Sequence, residues 1–164
     1  RRAAMGAPNY LMNTDHQPIS NLKQIMLEQQ EELVQLCTLV EYLRGFLHIG
    51  IDASDILKYE EKLERFKELQ QQRFNRIDDL INTNILQMKK QQTNDQTVLI
   101  FGKEVRKLEA SLRTLFLFTS DIVGILKQDH LVNHRGEERI RYFDTRSASL
   151  DVEMRLLLQK MAFI

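Results

Sequence analysis

Apolar residues recur along this chain at alternating steps of three and four. One unbroken example is Val98, Phe101, Val105, Leu108, Leu112, Leu115, Thr119, Ile122 and Leu126. This is a heptad pattern carrying one hydroxyl, at Thr119, and a helix that holds it must lay its stripe against another helix. A second stripe steps the same way through Ile19, Leu22, Met26, Gln29, Leu33, Leu36, Val40, Leu43 and Leu47. Gln29 holds a seam position there; one polar residue at such a place often fixes register or partner number at some cost in stability, and a Gln that reaches water near a frayed end is the alternative. Between the two lies a third track of Tyr59, Leu63, Phe66, Gln70, Phe74, Ile77, Ile81, Ile85 and Met88. Leu63, Phe74 and Ile85 stand eleven apart, as do Phe66, Ile77 and Met88. That period keeps a helix nearly straight or winds it slightly to the right.

The stretches between these tracks set the boundaries. Residues 1–17 have no periodicity and carry Gly6, Pro8 and Asn13, so they are expected to form an extended N-terminal arm. Tyr10, Leu11 and Met12 are its candidates for docking on a neighbouring surface. Pro18 suits a first helical position, because its missing N–H costs nothing there. Three long helices are predicted at about 18–48, 55–92 and 95–130. Gly45 and Gly50 weaken and end the first; Asp52 or Ser54 can cap the second, and Thr93 or Asn94 the third. Glu61 with Arg65, and Glu109 with Arg113, have the spacing of surface ion pairs. Links this short join antiparallel neighbours.

Residues 131–164 read as an irregular linker through Asn133, His134, Arg135 and Gly136, then a shorter helix. Ser147 or Ser149 would cap that helix, and Leu150, Met154, Leu157, Met161 and Ile164 would form its face. The expected fold is all-α: a long-helix antiparallel bundle or coiled coil, with an extended N-terminal arm and a shorter C-terminal helix.

One stretch asks for more cover than a two-helix seam supplies. Phe116, Leu117, Phe118, Val123 and Ile125 lie off the main stripe of the third helix, and burying each such side chain is worth roughly 1.5–3 kcal/mol. The last helix, another protein chain, or both would have to cover them. The residues expected to meet other helices are therefore Leu22, Leu33, Leu36, Leu43, Val105, Leu108, Leu112, Leu115, Phe116, Phe118, Ile122, Leu126, Leu157 and Met161. The expected partners are protein helices, from copies of the same chain or from different ones, within a larger assembly.

Composition narrows the alternatives. With 2 prolines and 6 glycines among 164 residues, long elements are favoured over many short ones. Lys plus Arg and Asp plus Glu balance at 23 each, so no global field draws the chain to polyanions. The balance also holds locally, 8 against 8 from Asp52 to Gln92 and 5 against 5 from Asp95 to His130. Cys37 is the single cysteine, which excludes an internal disulfide and points to a reducing compartment, cytosol or nucleus. No apolar run approaches the roughly 18 residues of a bilayer span. Beginning at Arg1 and ending on Met161-Ala162-Phe163-Ile164, the sequence reads as a piece of something longer.

Chemistry finds little purchase. His130 and His134 stand four apart, but no third ligand follows at a recognisable spacing, so no metal is expected. Cys37 lacks a CxxC partner and reads as a small apolar residue. Phosphate-cradling glycine loops and nucleophile-elbow or HExxH motifs are absent, and no catalytic or cofactor-binding set is assigned. The alternative function is association with nucleic acid through Arg135, Arg139, Arg141 and Arg146, with Tyr142 and Phe143 interleaved. Glu137, Glu138 and Asp144 cancel most of that charge, so protein helices are the preferred partner.

Overall fold

Each of the three periodic tracks is a helix, and the segment beyond them is a fourth. The computed structural model describes the backbone of residues 2–128 and 134–164, and the side chains of residues 17–128 and 134–164. The helices are α1 (Arg2–Phe46), α2 (Ala53–Gln91), α3 (Thr97–Gln128) and α4 (His134–Met161), with no strand among the described residues.

Side-chain pairs fix their directions. Arg76 reaches Glu28, and Phe46 packs edge-on to Tyr59, so α1 and α2 run antiparallel. Arg106 with Asp78 and Lys127 with Glu60 do the same for α2 and α3. Phe118 against Tyr142 and Arg139 near Asp121 set α4 antiparallel to α3. Arg44 with Asp144, and His48 with Glu137, close α4 back onto α1. The result is an up-down-up-down bundle, the arrangement that short links favour.

The heptad stripes form its core. All nine members of the first stripe are buried, Leu47 in the turn just past α1, and so are the members of the α3 stripe except Phe101, which is half-buried. α3 packs against all three other helices; α2 and α4 do not meet, and α1 touches α2 only sparsely. The apolar surplus on α3 is covered from within the chain. Phe116, Val123 and Ile125 are buried, Phe118 is half-buried against Tyr142, and Leu117 alone of that group is exposed. At Gly102, α3 comes so close to α2 that an added Cβ would lie 2.7 Å from Ile81 Cγ1. Absence of a side chain there permits the approach.

Several boundaries depart from expectation. The helical backbone begins at Arg2, so residues 2–17 continue α1 instead of forming an extended arm. Ala3, Ala4, Met5, Ala7, Leu11 and Met12 are good helix formers, and Pro18 inside the helix forfeits one backbone bond without ending it. The side chains of Tyr10, Leu11 and Met12 lie outside the described residues. α4 likewise begins at His134, well before the expected serine caps. Ser147 is interior and turns its hydroxyl back to the carbonyl of Asp144. Gly136, Ile140 and Phe143 extend the buried stripe toward the N-terminus, a continuation that the charges around them obscured.

The caps follow ordinary chemistry. Asp52 accepts from the Asp55 N–H at 2.9 Å, as expected, and its hydrogen bonds with Ser54 and Asp55 hold its carboxyl below the usual range. Asp95, not Thr93 or Asn94, accepts from both the hydroxyl and the N–H of Thr97 at the head of α3. Those two bonds lower its pKa. α2 ends on Gln92 in the left-handed region at φ 53°, whose N–H returns to the Met88 carbonyl. In the α1–α2 link, Gly50 takes φ 81°, a conformation natural to glycine.

Candidate interaction surface

The α2 stripe explains why α1 and α2 stand apart. Its buried members are Ile56, Leu63, Phe66, Gln70, Arg73 and Ile77, a heptad path rather than the eleven-residue repeat. Phe74 and Ile85 are only half-buried, and the Arg106 guanidinium covers the Phe74 ring at 5.3 Å. Polar side chains occupy the middle of the path, and their partners come from α1 and α3.

Arg73 is at the centre. Its Nε and Nη2 donate to the two carboxylate oxygens of Glu109 at 2.8 and 3.0 Å, and Nη2 also donates to Glu32. Gln70 donates to the other oxygen of Glu32 at 2.6 Å, and Gln29 to Glu109 at 3.0 Å and to the Val105 carbonyl at 3.1 Å. All five residues are at most 3% exposed. Burial pushes the Glu32 carboxyl up, with Arg73 and Gln70 holding it back only in part. Burial also opposes the charge on Arg73, but its bonds to Glu109 and the two carboxylates more than offset this and raise its pKa. Two amide oxygens, Gln29 Oε1 and Gln70 Oε1, have no partner. The network ties α1, α2 and α3 at one level and specifies their register.

Glu109 thus faces the interior and meets Arg73, not Arg113 on the surface; Arg113 instead lies over the Phe116 ring at 5.5 Å. Gln29 is fully enclosed. Its seam position and that of Gln70 are legible in the heptads. Glu32, Arg73 and Glu109 look like solvated charges in sequence, because their complementarity exists only across three helices. The available signal was spacing: Glu109 stands four from Val105 and three from Leu112.

On either side of these polar bridges the space between α1 and α2 opens into hollows. One, of about 400 Å³, is lined by Val34, Gln35, Thr38, Leu39 and Tyr42 of α1 and Lys62, Arg65 and Phe66 of α2. It continues past Tyr42 toward Lys58 and Tyr59. The other lies between Asn21, Gln24 and Ile25 and the Arg76–Thr83 turns of α2. From Asn21 to Tyr42 the two hollows, with the polar bridges between them, span roughly 32 Å of α1 at 1.5 Å per residue. Val34 is 65% and Tyr42 61% exposed. With Leu27 they form an outer apolar track at steps of seven and eight, which the buried stripe overshadowed. Arg65 does not close the expected pair with Glu61; it lines the hollow beside Lys62.

The residues expected to meet another chain are placed differently. Leu22, Leu33, Leu36, Leu43, Val105, Leu108, Leu112, Leu115, Phe116, Ile122, Leu126, Leu157 and Met161 are buried against this chain's own helices, and Phe118 is half-buried. In the arginine segment, Arg135 and Arg139 line one hollow together with Asp121 and Glu138. Arg139 approaches Asp121 at 3.8 Å, Phe143 is in the core, and Tyr142 donates to Glu138. Arg135, Arg141 and Arg146 are exposed. His134 is exposed at the head of α4, while His130 lies outside the described residues. Among the described residues no three His, Cys, Asp or Glu side chains group as metal ligands. Cys37 is half-buried against the core; burial pushes its thiol up, and Ser147 draws it back in part.

No protein-family model, curated protein or solved structure matches the chain. Its class is that of a four-helix bundle with a polar centre. Among the described residues no helix is long and apolar enough to cross a membrane.

Proposed function

We propose that this chain is a non-catalytic structural subunit that joins other helical chains in a larger assembly. The observation that carries this reading is the groove between α1 and α2. Hollows also lie between α3 and α4, but those are lined largely by charged side chains, whereas here Val34 and Tyr42 remain in water beside a hollow floored by Leu39 and Phe66. A fifth helix laid along that groove would complete the packing that α2 leaves unfinished.

The test is the state of the full chain in its native cell extract. The reading expects a stoichiometric complex by size-exclusion light scattering, lost in a Val34→Glu/Tyr42→Glu variant and kept in a Leu86→Glu control. A free monomer in the extract, or a complex indifferent to both groove substitutions, would contradict it.

A further inference from the structure

Resting on the subunit reading, we infer that the α1–α2 groove receives an acidic amphipathic helix from a different protein. The floor near its closed end is apolar, made by Leu39 and Phe66, with Val34 and Tyr42 rising on the α1 side. The α2 side carries two cations, Lys62 and Arg65, and no acidic side chain lines this hollow. Neither cation forms an ion pair with a described residue. Where the groove opens toward Tyr59, Lys58 continues the same edge, with Asp55 and Glu61 also lining that end, so the cationic stretch without acids is the part at Lys62 and Arg65. A helix entering here would place aliphatic or aromatic side chains at heptad spacing on the floor and carboxylates along the α2 edge.

Charge also decides against a second copy of this chain. A two-fold contact brings the same patch from both molecules together. Groove against groove, with the two-fold axis at the hollow, would set Lys62 and Arg65 against their own equivalents, an unfavourable pairing. The length of the groove argues against a small ligand, because the hollows repeat along α1 from Asn21 to Tyr42.

The probe is a fluorescein-labelled peptide of roughly 20 residues, a length that spans the groove as a helix. Leucine occupies its a and d positions and glutamate its e and g positions; a counterpart carries lysine for glutamate. Anisotropy titration of the full chain should give saturable binding of the glutamate peptide, at least ten-fold tighter than the lysine peptide. Val34→Glu should weaken it ten-fold or more with unchanged circular dichroism, since Val34 is exposed. Lys62→Glu/Arg65→Glu should reverse the preference to the lysine peptide. Equal affinity for both peptides, binding that survives Val34→Glu, or no binding of the glutamate peptide would overturn the inference.

The same charge-reversed variant separates this inference from the subunit reading. A native complex that breaks on Val34→Glu/Tyr42→Glu but ignores Lys62→Glu/Arg65→Glu leaves the subunit reading intact and removes the acidic partner. A chain that forms concentration-dependent dimers abolished by Val34→Glu would replace the acidic helix with a second copy.

Discussion

Arg73 is the one cation bonded to two buried carboxylates, Glu32 and Glu109, and the bundle depends on it at that level. Replacing it with Met keeps most of the volume and leaves Glu32 and Glu109 without their cation. The cost of breaking a buried pair in this way is about 3–5 kcal/mol, so Arg73→Met should lower the urea midpoint severely. Glu32 responds differently. Its folded pKa is raised above the ordinary 4.5, so its neutral form is favoured by folding. Its contribution to stability is therefore complete below the unfolded pKa and lost as pH rises through the raised value. Glu32→Gln removes that titration, and Gln70 can turn its unpartnered oxygen toward the new amide. Urea titrations across pH should show the variant gaining on the parent chain as pH rises from 4.5. A difference independent of pH would contradict the assignment. Glycines offer a cleaner contrast. Gly124 has open space at its Cβ position, and Gly124→Ala should stabilise by about 0.5–1 kcal/mol. Gly102→Ala should not show this gain, because Ile81 occupies the space.

Helix ends and helix faces were legible in sequence to different degrees. The α1 and α3 stripes are unambiguous because apolar residues fill nearly every heptad position, and both are buried as their spacing implies. The Asp52 cap could also be read, since a short acidic side chain before a helical run has few other uses there. α4 was harder. Arg135 through Arg146 surround Ile140 and Phe143 with charge, and only the face turned to α3 and α1 reveals the stripe. Polar residues at the α2 centre were harder still, because sequence spacing does not show which charges will meet across a bundle. The groove has the same origin: it exists where polar bridges substitute for apolar contact, and no single-helix pattern records a gap between two helices. The end of α2 provides a test of element design. Gln92 holds a left-handed conformation that costs a side chain roughly 1–2 kcal/mol. Gln92→Gly should relieve part of that and raise the thermal midpoint by a few degrees.

At the scale of the whole molecule, the heptads close within one chain. Leucines that suggest a coiled coil between molecules are the core of a single bundle, and α1 and α2 leave an apolar-floored groove between them. Core and groove substitutions should therefore separate cleanly. Leu112→Glu would bury a charge where exposure is 0%, and should abolish helicity of the isolated chain. Val34→Glu should leave that helicity intact. The most direct measurement is sedimentation equilibrium of the purified chain, with circular dichroism recorded across the same dilution series. A bundle closed on itself predicts one species near 19.4 kDa whose helicity does not change on dilution. A species of twice that mass that loses helicity as it dissociates would mean that the seams are shared between molecules.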